Sequence, residues 1–81
     1  MPTRKIADPF AKKIGARIRD LRLEQGKSLA ALAEASDVST GHLSCIERGY
    51  VIMNVNTLWK IARGLGVPLF EVVSGLEDMQ R

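Results

Sequence analysis

The stretch from Ser28 to Gly49, SLAALAEASDVSTGHLSCIERG, constrains the fold most, because it has room for two short helices and almost no chain between them. Each half begins with a serine, Ser28 or Ser39, whose hydroxyl can accept a hydrogen bond from the free N–H groups of a first helical turn. Residues at helical spacing follow in both halves: Leu29, Leu32, Ala33 and Ser36, then Leu43 and Ile46. The pattern predicts two capped helices.

Only Asp37 and Val38 link these helices, so the chain must reverse sharply there. A reversal this tight needs a residue that tolerates positive φ, and aspartate does so because its short polar side chain can hydrogen-bond locally. The small side chain of Ala33 leaves room for the second helix to cross closely. These features predict a helix-turn-helix over about residues 28–48, a motif whose second helix can enter the major groove of DNA.

The flanking residues extend the pattern. The run LAALAEASDVSTGHLSCIERG, preceded by IGARIRDLRLEQGKS and followed by NTLWKIARGLGV, resembles the phage-repressor (Cro/CI, XRE) helix-turn-helix DNA-binding family over roughly Ile14 to Val73. The sequence departs from that family at three positions, with Leu29 in place of a frequent Gln, Asp37 in place of Gly and Met53 in place of Pro. Since that Gln usually contacts phosphate or base, its role is not carried over to Leu29.

Three further helices are predicted around the motif. Asp8 and Pro9 open a first helix, Asn54 caps a fourth, and Val67-Pro68 begins a last short one that stops at Gly75. The core-facing residues of the first and fourth helices are Phe10, Ile14, Ile18 and Leu21, then Leu58, Ile61, Ala62 and Leu65. We therefore expect an all-α, compact five-helix lambda-repressor-like DNA-binding domain over residues 9–75, with a flexible basic N-terminal arm over 1–8 and a C-terminal tail over 76–81.

Composition narrows the class of protein. A chain of 81 residues has room for one small domain, and a single cysteine cannot form an intramolecular disulfide, which agrees with a reducing compartment. The apolar runs fall far short of the roughly 18 residues that span a bilayer, and MPTRKIADPF lacks the apolar segment of a secretory signal. We expect a cytoplasmic, nucleoid-associated protein.

Positive charge is concentrated at the N-terminal end. Residues 1–27 hold eight basic and three acidic side chains, or +5, whereas the remainder holds four basic and six acidic, or −2. The first helix and arm would thus attract a polyanion such as DNA, although a solvated helix face gives the same pattern. The arm either follows a DNA groove or makes no contact.

The second motif helix supplies the candidate base contacts: Ser39, Thr40, Gly41, His42 and Cys45. None has the bidentate geometry of Arg, Lys, Asn or Gln, so hydroxyl groups, close backbone approach at Gly41 and DNA shape would provide specificity. His42 either contacts DNA or is an ordinary surface residue. Cys45 is either an oxidation switch or an incidental thiol, and its surroundings give little reason for a reactive thiolate.

Residues around the motif can contact phosphates through hydroxyl, guanidinium or amide groups. The candidates are Ser28, Ser44, Arg48, Tyr50 and Asn54; the family resemblance places the loop holding Tyr50 and Asn54 near the DNA backbone. The resemblance also implies a structural ion pair within the domain between Arg22 and Glu47. The alternative for Arg22 is a phosphate contact.

The sequence contains more apolar residues than a small core can bury. Those assigned to a dimer interface are Ile52, Met53, Trp59, Leu69, Phe70 and Val73, because related proteins commonly pair through the last helix and the loop before it. For the loop, packing on the domain's own core is the alternative. The expected partners are therefore double-stranded DNA and a second copy of the chain.

The sequence therefore predicts a homodimeric, sequence-specific transcription regulator that binds a (pseudo)palindromic operator through a major-groove recognition helix, and the resemblance to the Cro/CI type implies a repressor. The alternative is a protein-interaction module on the same scaffold with weak or no DNA readout. An enzyme is not expected, since paired carboxylates, an activated nucleophile, a phosphate-binding glycine loop and metal-ligand spacing are all missing from the pattern. No cofactor, metal, membrane contact or small-molecule ligand is expected.

Overall fold

Five α-helices make up most of the chain that the computed structural model describes, residues 9–50 and 53–74, and that part contains no strand. The helices are α1 (Pro9–Glu24), α2 (Leu29–Ser36), α3 (Thr40–Glu47), α4 (Val55–Leu65) and α5 (Leu69–Val73). The predicted all-α, five-helix fold is confirmed. The predictions for the arm over residues 1–8, for Ile52, for the helix stop at Gly75 and for the tail over residues 76–81 lie outside the described residues.

Side-chain caps begin the three helices where the sequence predicts them. The Ser28 hydroxyl accepts a bond from the Ala31 N–H at 3.0 Å, at the start of α2. The Ser39 hydroxyl accepts from the His42 N–H at 3.0 Å, at the start of α3. At the start of α4 the side-chain oxygen of Asn54 accepts a bond from the Thr57 N–H at 2.8 Å. Each cap satisfies one of the N–H groups that a helix leaves unpaired at its first turn.

The reversal between α2 and α3 depends on one left-handed residue. Asp37 has φ 58° and ψ 44°, and its N–H donates to the carbonyl groups of Ala33 and Glu34. The Val38 N–H donates to the Ala33 carbonyl at 3.0 Å and closes the turn. The predicted role of Asp37 is confirmed.

Two helices end close to glycine residues. Helix α1 ends at Glu24, two residues before Gly26. Helix α3 ends at Glu47 with Arg48 as its C-cap, and Gly49 follows at φ 78°. This is the usual place for a left-handed glycine, one position beyond the cap.

The helices enclose one hydrophobic core, to which all five contribute. Its buried members are Ile14, Ile18, Leu21, Leu32, Ala33, Leu43, Ile46, Ile61, Ala62, Leu65 and Val72. Phe10, expected in the core, is instead 53% exposed, and that prediction is wrong. It lies in the first turn of α1, where the ring lines an open groove with Met53 and Leu58 instead of being covered by another element. No helix in the described residues is both long and apolar enough to cross a membrane.

Two helix crossings depend on glycine because the backbones approach closely. A Cβ at Gly15 in α1 would overlap the carbonyl oxygen of Ile46 in α3, and one at Gly64 in α4 would overlap the hydroxyl of Ser36 in α2. The Ser36 hydroxyl is buried and has no hydrogen-bond partner. The first crossing fixes α3 against α1, and the second fixes α2 against α4.

Side-chain bonds to backbone carbonyls tie the ends of helices together. Gln25 donates to the Leu65 carbonyl at 2.8 Å, and Lys27 donates to the Gly64 carbonyl at 2.9 Å, so the turn after α1 caps the C-terminal end of α4. Arg17 donates to the backbone carbonyl of Glu71 at 3.0 Å and to its carboxylate at 3.3 Å, which joins α5 to α1. Helix α5, only five residues long, is thereby held on the bundle.

Candidate nucleic-acid interface

Helix α3 buries one face and presents the other to solvent. Leu43, Ile46 and Glu47 are buried against the rest of the domain. The candidate base contacts at its N-terminal end, Ser39, Thr40, Gly41 and His42, are all exposed, and Cys45 is half-buried. The structure therefore brings four of the five candidates to one exposed helix end.

The exposed groups at this end differ in what they offer to DNA. The Ser39 hydroxyl oxygen accepts the capping bond from the His42 N–H, which leaves its hydrogen available to donate. Thr40 adds a hydroxyl and a methyl group. A Cβ built at Gly41 would meet no atom within 4 Å, so the space around this residue is open to a second molecule.

An ion pair between Arg22 and Glu47 anchors the C-terminal end of α3. Two parallel bonds join them, from Nε to Oε2 at 2.8 Å and from Nη2 to Oε1 at 3.0 Å, and the side chains are only 11% and 5% exposed. Nη1 donates to the Lys27 carbonyl at 3.0 Å. The hydrogen bond to the Glu47 carboxylate raises the pKa of Arg22 above its usual value despite burial. Arg22 is thus bonded within the domain, as the resemblance implied.

Two candidate phosphate contacts lie at helix N-termini. Ser28 and Asn54 are exposed caps of α2 and α4. The capping bond uses only the side-chain oxygen of Asn54, so the side-chain nitrogen retains two hydrogens to donate. Backbone N–H groups at a helix N-terminus, together with the helix dipole, favour a phosphate placed beside them.

The other three phosphate candidates form one cluster at the end of α3. Arg48 donates to the Ser44 hydroxyl at 2.8 Å, and its guanidinium lies 5.6 Å from the centre of the Tyr50 ring. Ser44 is half-buried, whereas Arg48 and Tyr50 are exposed. The contacts hold the cationic head of Arg48 beside the outer face of α3.

The residues assigned to a dimer interface divide into two groups. Met53 and Leu69 are half-buried and pack on the core, and Val73 is half-buried as well. Trp59 and Phe70 are 47% and 67% exposed, and the Arg63 guanidinium lies 4.9 Å from the Trp59 ring.

Sequence reasoning missed features that arise only from packing. Val55 is 72% exposed and lines an apolar groove of about 200 Å³ with Phe10, Met53 and Leu58. The roles of Gln25 and Lys27 as caps of α4 were also missed. The sequence indicates these roles only by placing a polar side chain on each side of Gly26. Within the residues described, no group of three His, Cys, Asp or Glu side chains is placed to hold a metal ion.

Comparison with known proteins places this geometry in a family. The helix-turn-helix family model HTH_3 matches residues 18–72. The HTH-type transcriptional regulator SutR of Escherichia coli is 44% identical over 65 residues, which is 80% of this chain and 36% of SutR. The HTH-type transcriptional regulator DdrOP3 of Deinococcus deserti is 34% identical over 65 residues, which is 80% of this chain and 50% of that protein. The matched region therefore covers half or less of the length of these relatives.

Solved structures superpose on most of the chain. The clp gene regulator ClgR of Corynebacterium glutamicum superposes with a TM-score of 0.82 at 31% identity, covering 91% of this chain and 96% of ClgR. The restriction-modification controller protein C.AhdI of Aeromonas hydrophila has a TM-score of 0.75 at 29% identity, covering 76% of this chain and 94% of that protein. With its capped α2–α3 motif and exposed α3 end, the chain belongs to the HTH_3 helix-turn-helix family of XRE-type DNA-binding transcriptional regulators, which is not a family of enzymes.

Proposed function

We propose that the chain is the DNA-reading domain of a sequence-specific regulator that binds a (pseudo)palindromic operator as a homodimer. The observation that carries the proposal is the exposed N-terminal end of α3, where Thr40, Gly41 and His42 face solvent on a helix locked to the domain along its other side. Helix-turn-helix proteins read base edges with this end of the second motif helix.

The chemistry of α3 favours a particular kind of readout. Hydroxyl groups can bond either base edges or phosphates, and the Thr40 methyl group can contact a thymine methyl. Because Gly41 has open space around it, the α3 backbone can approach the groove floor closely. With no long amide or cationic side chain at this end, part of the specificity comes from DNA shape and deformability.

Phosphate contacts on both sides of α3 would position the helix in the groove. Ser28 and Asn54 are exposed at the N-termini of α2 and α4, and Ser44, Arg48 and Tyr50 cluster at the C-terminal end of α3. Such contacts fix register without reading sequence, and they make affinity fall as salt concentration rises.

Exposed aromatic side chains support a dimer. Trp59 and Phe70 retain large exposed fractions, and aromatic residues are enriched in protein interfaces. A two-fold dimer would present two α3 helices to half-sites about 34–36 Å apart. In the cytoplasm, such a dimer would regulate transcription from the promoter that holds its operator.

Selection from a randomised duplex pool tests this function. We expect enrichment of an inverted repeat with half-sites about one helical turn apart, bound by two protomers per duplex in analytical ultracentrifugation. Absence of any duplex binding at low salt would contradict the proposal and favour a protein-interaction module that uses the exposed apolar residues instead.

A further inference from the structure

A cleft of about 380 Å³ lies between α1 and the C-terminal end of α3. Its walls are Lys12, Ala16, Arg19, Asp20, Glu47, Arg48 and Tyr50. In the sequence, Lys12 and Arg19 stand out only as part of the N-terminal positive charge. The structure places them beside the helix that carries the candidate base contacts.

The unpaired charge of the cleft is positive. None of the ion pairs between described residues uses Lys12, Arg19 or Arg48. The Glu47 carboxylate has both oxygens bonded to Arg22, which neutralises it. Asp20, exposed on α1, is the remaining carboxylate among the lining residues, so three cationic groups face one free anion. A concave site with this balance attracts an anion.

The cleft is continuous with the outer surface of α3. Arg48, one of its walls, bonds the Ser44 hydroxyl on α3 and lies over the Tyr50 ring. Thr40 and Arg48 are eight positions apart, so a helical rise of 1.5 Å per residue separates them by about 12 Å along the axis. The major groove is also about 12 Å wide. If α3 lies across the groove with Thr40 at the base edges, Arg48 comes near the phosphate backbone that borders the groove.

We propose that this cleft binds a backbone phosphate of the DNA beside the groove that α3 occupies, with Lys12 and Arg19 of α1 acting together with Arg48. The inference rests on the proposed function and assigns to α1 a role in DNA affinity. The continuity of the cleft with α3 favours a DNA phosphate over an acidic segment of a partner protein. A guanidinium and an ammonium in one cleft suit a phosphate, which offers several acceptor oxygens.

Salt-dependent affinity for the selected duplex tests the assignment with matched variants. Lys12→Gln and Arg19→Gln each remove one cation from the cleft, whereas Lys13→Gln removes the same charge from an exposed α1 position that does not line it. We expect the Lys12→Gln, Arg19→Gln double variant to lower the slope of log K against log salt by about 0.9, the contribution of one phosphate contact, and each single variant to lower it by part of that amount. With a slope lower by this amount, a variant loses about threefold less affinity than the wild type when salt rises from 50 to 200 mM. Lys13→Gln should leave the slope unchanged.

A scan with single methylphosphonate substitutions, which neutralise one phosphate at a time, locates the contact. We expect a position where neutralisation weakens binding by the wild type and has a smaller effect on the Lys12→Gln, Arg19→Gln double variant. Circular dichroism and thermal unfolding check that each variant is folded. The inference is overturned, with the proposed function intact, if the cleft variants change the slope no more than Lys13→Gln. Failure of the wild type to bind any duplex overturns both.

Discussion

Arg22 and Glu47 show how one pair of side chains sets the position of the reading helix. Their two parallel bonds join the last turn of α1 to the last residue of α3, and the third guanidinium nitrogen bonds the Lys27 carbonyl. Because both side chains are nearly buried, removing one partner leaves a charge that neither water nor protein compensates.

Glu47→Ala should lower the free energy of unfolding by about 3–5 kcal/mol, the range for breaking a buried ion pair. Urea denaturation followed by circular dichroism measures the loss. Lys60→Ala is the control, since Lys60 and Asp37 are 3.8 Å apart on the surface and such a pair contributes about 0–1 kcal/mol. Equal losses in the two variants would contradict a structural role for the buried pair.

At the scale of helices, the α1–α3 crossing leaves no room for a side chain at Gly15. Gly15 lies directly against the carbonyl oxygens of Ile46 and Glu47, so any side chain there would push α3 away from α1. Gly41, in the first turn of α3, has no neighbour within 4 Å of a Cβ. Gly15 and Gly41 are thus helical glycines with opposite surroundings, one crowded and one open.

Gly15→Ala should lower the free energy of unfolding by about 1–3 kcal/mol, as overpacking does, although alanine is the better helix former. Gly41→Ala should instead raise it by about 0.5 kcal/mol, because only the helical preference changes. Thermal and urea unfolding of the two variants give the comparison. A stabilising Gly15→Ala would show that α1 and α3 do not cross as the structure has them.

For the molecule as a whole, features set by neighbouring residues were predictable from the sequence, whereas several features set by packing were not. The caps at Ser28, Ser39 and Asn54 and the left-handed Asp37 depend on neighbouring residues alone, and all four were predicted correctly. Phe10 was wrongly assigned to the core, because helical periodicity shows which face of a helix is apolar but not which turns of that face are covered by other helices. The cleft between α1 and α3 joins residues more than 25 positions apart, so no local pattern contains it.

Self-association is a property of the whole molecule that the exposed aromatic residues should control. Phe70→Ser removes a side chain that is 67% exposed in the single chain, and burying a phenylalanine contributes about 1.5–3 kcal/mol. We expect the dimer dissociation constant to rise at least about 10-fold. Sedimentation equilibrium measures it. Leu23→Ser, at a residue 50% exposed on α1 and outside the assigned interface, should leave it unchanged; the opposite ranking would place the interface elsewhere.

The central claim is that the N-terminal end of α3 reads base sequence, and the ratio of affinities for the selected duplex and a scrambled duplex tests it most directly. The account predicts that a Thr40→Ala, His42→Ala double variant loses most of this ratio while keeping its affinity for the scrambled duplex. Tyr50→Phe, at a proposed phosphate contact, should weaken binding to both duplexes alike and preserve the ratio. An unchanged ratio in the double variant would contradict the account, because sequence would then be read by another part of the molecule.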